Sequence, residues 1–255
     1  MITEYHRPNS LEEAIQLLQR AEVRTVPMGG GSALAIPSRE PIAVVDLQNL
    51  NLHAVRDRGN SLEIDSGVTL QALLDTPKIQ TGLTEAIRHE AAYNLRQVAT
   101  VAGALVAANG RSPFATAMLA LDAALSLQPN DEEASLGDIL SLRDEYLRGK
   151  LITQIKIQIN ARLACAYVAR SPADLPIVWV AVASWPSGRT RLALGGFGAA
   201  PKLAMDGPEM DGAETAAEDA YASAGDEWAT AEYRQKVART LTGRCQEILR
   251  EGTRG

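Results

Sequence analysis

Aromatic residues are scarce in this chain of 255: two phenylalanines, three tryptophans and six tyrosines, 4% in all. With 46% of residues hydrophobic, the chain is expected to be globular with a largely aliphatic core. There are two cysteines, Cys165 and Cys245. Two thiols cannot ligate a zinc ion or an iron–sulfur cluster by themselves, and their spacing neither demands nor forbids a disulfide. The three histidines, His6, His53 and His89, show no metal-ligand spacing. No apolar run approaches the roughly 18 residues of a membrane helix, and the opening MITEYHRPNS lacks the apolar stretch of a secretory signal. A soluble, cytoplasmic protein is expected. Basic clusters are missing too, and the net charge is −6. Both argue against nucleic acid or an anionic membrane as the main partner. The acidic excess gathers in residues 206–232, where a solvated face accounts for it.

Several elements are legible. In NSLEEAIQLLQRA, Ser10 and Glu13 have the spacing of a capping box, and apolar residues then recur at helical spacing, so a helix is expected over about 11–20. EVRTVPM is a short strand running into Gly29-Gly30-Gly31-Ser32, and a second strand covers 42–47. Asp46 ends that strand and is placed to cap the next turn. A hairpin is expected around Arg58-Gly59-Asn60. TLQALLDT, GLTEAIRHEAAYNLRQV and SPFATAMLALDAA read as helical. Residues 151–160 alternate as a strand, and RLACAYVAR, PIVWVAVASW and the run after Pro186-Ser187-Gly188 give three antiparallel strands. Trp179 and Trp185 fall in those strand patterns and read as core. The final helix is expected to bury Tyr233, Val237, Leu241, Cys245 and Ile248. The order implies α+β construction in two domains, with a boundary near 150–160.

The chemistry is concentrated in small-residue loops. Consecutive glycines let backbone N–H groups converge without interfering Cβ atoms, as a pyrophosphate requires. The stretch RTVPMGGGSALAIP has neither dinucleotide-fold nor P-loop spacing, so on its own it reads equally as a turn. A second such stretch, ATVAGALVAANG, adds the Thr100 hydroxyl, and the two together could clamp a long ligand. Close packing of helix on sheet is the alternative. Ser32 lacks the GxSxG context of a hydrolase nucleophile. RSPADLP, 170–176, is a structured loop with an Arg–Asp pair and a weaker ligand candidate.

These features occur in a recognisable order. EYHRPNSLEEAIQLL precedes the first loop; AAYNLRQVATVAGALVAA and ATAMLALDAAL flank the second; RSPADLPIVWVAVA and AEYRQKVARTL follow. The set resembles the FAD-binding medium subunit of the molybdenum hydroxylases, the group containing carbon monoxide dehydrogenase and bacterial xanthine dehydrogenase. The resemblance runs from about residue 4 to about 248 and is thinner over 128–160. It implies a PCMH-type FAD-binding domain of two small α/β subdomains, residues 1–158. A C-terminal domain of a three-stranded antiparallel sheet with helices would follow, residues 159–255. It implies a noncovalent FAD site formed by Pro27, Met28, Gly29, Gly30, Gly31, Ser32 and Ala33 with Thr100, Val101, Ala102, Gly103 and Ala104. It also implies two partners, a large molybdopterin-binding subunit that oxidises the substrate and a small [2Fe-2S] subunit that relays electrons. The chain would then be an oxidoreductase component passing electrons from iron–sulfur clusters to an external acceptor.

Four positions depart from the family pattern. Ala102 replaces a glycine, Ala104 an asparagine, Pro113 an aspartate and Tyr167 a common lysine. If position 102 needed a positive φ, alanine there would cost about 1 kcal/mol. A flavin-free scaffolding subunit that retains the fold is therefore the alternative. A free-standing oxidase with covalent flavin is disfavoured, because no His or Cys occurs between residues 7 and 52.

Overall fold

The computed structural model describes residues 1–35 and 40–251. Residues 36–39, which include the end of the first glycine-rich stretch, and the last four residues of the expected second domain lie outside them. The first unit contains β1 (Ile2–His6), α1 (Leu11–Leu18), β2 (Thr25–Met28) and β3 (Ile42–Asp46). Its strands form a parallel sheet in the order β1-β3-β2. Ser10 caps α1, its Oγ accepting from the Glu13 amide at 3.2 Å, while the Glu13 carboxylate accepts from the Asn9 amide at 3.0 Å. The helix ends at Leu18, sooner than the periodicity suggests. Its Ala14, Ile15 and Leu18 pack on Val45, Leu47 and Leu151. Asp46 is buried at the end of β3 and accepts from the Tyr5 hydroxyl, Arg7 Nε at 2.9 Å and the Gln48 amide at 3.0 Å. Burial raises this carboxyl, but those bonds more than offset it and hold it below its ordinary value.

The second unit is built on a five-stranded antiparallel sheet, order β4-β5-β8-β6-β7. Its elements are β4 (Val55–Asp57), β5 (Ser61–Asp65), α2 (Leu70–Leu74), α3 (Thr81–Glu90), α4 (Tyr93–Arg96), α5 (Val101–Ala107), α6 (Pro113–Ala120), β6 (Ala124–Gln128), β7 (Glu132–Ser135), α7 (Leu136–Ile139), α8 (Arg143–Tyr146) and β8 (Leu151–Gln158). The helical run 82–98 is two helices, because Ala91 and Ala92 are extended. All eight residues of α6 are buried. A helix apolar all round needs cover on every side. Here α3 and the next sheet provide it.

That sheet is an antiparallel meander of β9 (Arg162–Val168), β10 (Val178–Ser184), β11 (Thr190–Gly195) and β12 (Lys202–Gly207). It has four strands rather than three. The fourth is an edge strand with no buried residue, so it lacks the apolar alternation that marks the others. One face packs Cys165, Trp179, Ala181, Ala183 and Ala193 into the same core as α3 and α6. The other is covered by α9 (Ala213–Ala220) and α10 (Ala231–Glu251). Burial on both faces explains the unbroken apolar run in β10. Both cysteines are buried free thiols.

The expected face of α10 needs correction. Leu241 and Cys245 are buried, but Tyr233 and Ile248 are 43% and 52% exposed. The inward residues include Arg234, Ala238, Thr242, Gln246 and Leu249. The Arg234 guanidinium is fully buried and sets this rotation. It ion-pairs with Asp226 at 2.9 Å and donates to the carbonyls of Ile177, Ala224, Ala229 and Gly196. An apolar-only count cannot register such a residue.

Candidate functional site

A cleft of about 970 Å³ opens where the glycine loop after β2, the first turn of α5 and the segment entering β8 meet. That volume lies at the upper end of the range of about 300–1,000 Å³ usual for ligand sites. Of the twelve expected site residues, Pro27, Met28, Gly29, Gly30, Gly31, Ser32, Ala33, Thr100, Ala102 and Gly103 line it. Val101 and Ala104 do not. Val101 is fully buried in the core, and Ala104 packs partly against it.

The two small-residue loops touch. A β-carbon on Gly30 would stand 1.5 Å from the Val98 carbonyl oxygen, and one on Gly29 would stand 2.8 Å from Thr100 Oγ1. Gly31 has φ +69°, the left-handed region. The strand holds the start of the loop, since the Met28 carbonyl accepts from the Leu47 amide at 3.0 Å. Among the described residues, the amides of Gly29, Gly30, Gly31 and Ser32 make no hydrogen bond. Four successive residues thus leave their donors unused in the cleft wall.

The second loop is built differently from the expectation, because its chain is helical. Thr100 caps α5, its Oγ1 accepting from the Gly103 amide at 3.1 Å. The Val101, Ala102 and Ala104 amides donate to the carbonyls of Val68, Ser66 and Thr100. The amides of this turn are therefore already used. Ala102 has no positive φ, so the backbone strain considered for it does not arise. Its methyl group borders the cleft and suits a helix.

Two other departures have local roles away from this cleft. Pro113 occupies the first position of α6, where its missing N–H costs nothing. Beside it, the half-buried Glu90 carboxylate accepts from Ser112 Oγ at 2.7 Å and the Phe114 amide at 3.0 Å. Tyr167 stacks on Trp179 with ring centres 5.1 Å apart, and the His89 ring lies 4.3 Å away. The 170–176 loop does not line the cleft either. Its Arg170 and the more distant Arg111 both lie over the Trp228 ring, at 4.4 and 4.6 Å.

Residues the sequence reading did not single out complete the wall. Arg24, Arg143, Arg148 and Lys150 line the cleft with a single carboxylate, Asp144. Arg24 pairs with Glu40 at 3.1 Å and Lys150 with Glu132 at 2.7 Å. Arg143 instead donates to backbone carbonyls, including Val106 at 2.9 Å and Leu140 at 2.6 Å. Among the described residues, Arg148 makes no side-chain hydrogen bond or ion pair. Two cations without a carboxylate partner leave the cleft suited to an anion. Ser66 also lines it, with a hydroxyl that has no partner. Arginine, lysine and serine at these positions carry no local motif, so only the fold reveals their convergence. Among the described residues, no group of His, Cys, Asp and Glu could hold a metal ion, and no helix is long and apolar enough to cross a membrane.

Residues 1–157 match the family described as the FAD binding domain in molybdopterin dehydrogenase. The chain is 33% identical over 199 residues to YgfM, an uncharacterized protein of Escherichia coli strain K12, covering 77% of this chain and 75% of that one. Among solved structures, a chain of carbon monoxide dehydrogenase from Oligotropha carboxidovorans superposes with a TM-score of 0.79 at 24% identity, covering 96% of each chain. Quinoline 2-oxidoreductase from Pseudomonas putida 86 gives 0.79 at 22% identity, covering 98% of this chain and 97% of that one. The α+β architecture is thus shared along nearly the whole length. By its sequence and its fold, the chain belongs to the FAD-binding domain family of the molybdopterin dehydrogenases.

Proposed function

We propose that this protein is the FAD-binding, electron-transfer subunit of a multi-subunit, cytoplasmic molybdenum hydroxylase. A large molybdopterin-binding subunit would oxidise the substrate, and a small [2Fe-2S] subunit would relay the electrons to this chain. FAD supplies the redox chemistry and hands the electrons to an external acceptor, while the protein positions it. The observation that carries this reading is the run of four unused amides, Gly29 to Ser32, in a cleft whose cationic side chains outnumber its carboxylates. Converging backbone donors in an electropositive cleft suit a pyrophosphate.

In this reading Gly29, Gly30, Gly31 and Ser32 donate to the pyrophosphate, and Thr100 adds a hydroxyl. Pro27, Met28, Ala33, Ala102 and Gly103 shape the walls, while Val101 and Ala104 support them from behind. No His or Cys lines the cleft among the described residues, which fits a noncovalent cofactor. The proposed division is a flavin domain over 1–158 and a second domain over 159–255, with neither nucleic acid nor membrane as partner. The flavin-free alternative rests on four departures, of which Ala102 alone borders the cleft. Affinity isolation of the full chain from its native host tests the assembly. Recovery of a molybdopterin subunit and an iron–sulfur subunit with it supports the reading. Isolation as a lone chain contradicts it.

A further inference from the structure

We infer that the Ser66 hydroxyl is a phosphate ligand, donating its O–H to the pyrophosphate of the bound dinucleotide. This rests on the reading of the cleft as the FAD site. Ser66 follows β5 and is 2% exposed. Its backbone is fixed, the amide donating to the Thr153 carbonyl at 3.0 Å and the carbonyl accepting from the Ala102 amide at 3.4 Å. Its Oγ has no partner. A buried hydroxyl left unsatisfied carries a desolvation penalty that a ligand acceptor removes. The other buried side-chain atoms without partners, such as Trp179 Nε1, Gln80 Oε1 and Thr242 Oγ1, belong to residues that do not line this cleft.

The surroundings define what Ser66 meets. The same cleft is lined by the glycine loop, whose unused amides are donors and call for an acceptor. On the α5 side the amides are taken, so that wall offers hydroxyls. Thr100 Oγ1 already accepts from Gly103, which leaves its O–H to donate, and Ser66 is free to do the same. With Ala102 and Ala104 contributing no polar side chain, Ser66 supplies the second hydroxyl of this half of the clamp. An anion with several acceptor oxygens suits donors of both kinds; a neutral ribityl chain would leave Arg143 and Arg148 without a counter-charge.

The test is the dissociation constant of the full-length chain for FAD and for ADP, before and after Ser66→Ala. The substitution should weaken both about tenfold, the size of one hydrogen bond to a charged acceptor. The ligand-free chain should unfold at the same or a higher temperature, because an unsatisfied hydroxyl has been removed. A purely structural serine would instead lower it. Unchanged affinity for both ligands overturns the assignment. Weakened FAD with unchanged ADP overturns the phosphate contact. A wild-type chain that binds neither overturns the reading of the cleft itself, and the Ser66 assignment with it.

Discussion

Gly30 lies directly against the carbonyl of Val98, so close that a β-carbon at position 30 would stand 1.5 Å from that oxygen. The two halves of the cleft are thus joined backbone to backbone. Gly30→Ala should separate them, weakening FAD binding more than tenfold and lowering the melting temperature. Gly31 differs, because its need is a φ of +69°, while a β-carbon there would meet the Met28 side chain at no less than 3.7 Å, an ordinary contact. Gly31→Ala should cost about 1 kcal/mol and leave affinity within a few-fold. Thermal unfolding and FAD titration of both variants check the contrast.

Thr100 has two duties, one toward α5 and one toward the ligand. Thr100→Val should lose the cap, at about 1 kcal/mol, and the hydroxyl donor as well. Thr100→Ser should keep both. Urea unfolding and FAD affinity, measured side by side, should show valine impaired in each and serine near wild type.

Arg234 holds α10 to the sheet by an ion pair and several carbonyl contacts while fully buried. Arg234→Ala should leave the buried carbonyls it satisfies without that donor, at a cost of about 1–3 kcal/mol. Equilibrium unfolding in urea measures it. A loss below about 1 kcal/mol would show that the network contributes little net stability.

Glu90 provides a pH signature. Burial pushes its carboxyl above the ordinary 4.5, although Ser112 and Phe114 donate to it. The folded chain therefore binds this proton more tightly than the unfolded chain. The corresponding stability is fully present below pH 4.5 and is lost as pH rises through the raised folded value. Glu90→Gln keeps an acceptor for both donors and removes the charge. Its melting temperature should exceed that of wild type at neutral pH, with the difference shrinking as pH falls toward 4.5.

The legible parts of the sequence were those with a local cause. The Ser10 cap, the alternation in β8 and the unbroken apolar run in β10 are each written within a few neighbouring residues. β1 and β12 were not readable, because they are edge strands recruited by backbone pairing rather than by burial. The β6–β7 hairpin turns on Asn130 and Asp131, both at positive φ, without the glycine that usually marks such a turn. The glycine loop was visible as a candidate, but its partner's helical nature was hidden among small residues that suit loop and helix alike. Ser66 had no local signal at all. Pairing of Thr69 with Thr100 draws residues 66 and 102 together across more than thirty positions, and sequence distance conceals that.

The central claim is that the Gly29–Ser32 amides and the hydroxyl of Thr100, the cap of α5, form a flavin-nucleotide clamp. Its most direct test is calorimetric titration of the full-length chain with FAD, alone and assembled with its co-purifying partners. The account predicts saturable binding of one FAD per chain, abolished or strongly weakened by Gly30→Ala. Absence of saturable FAD binding in both preparations would contradict it.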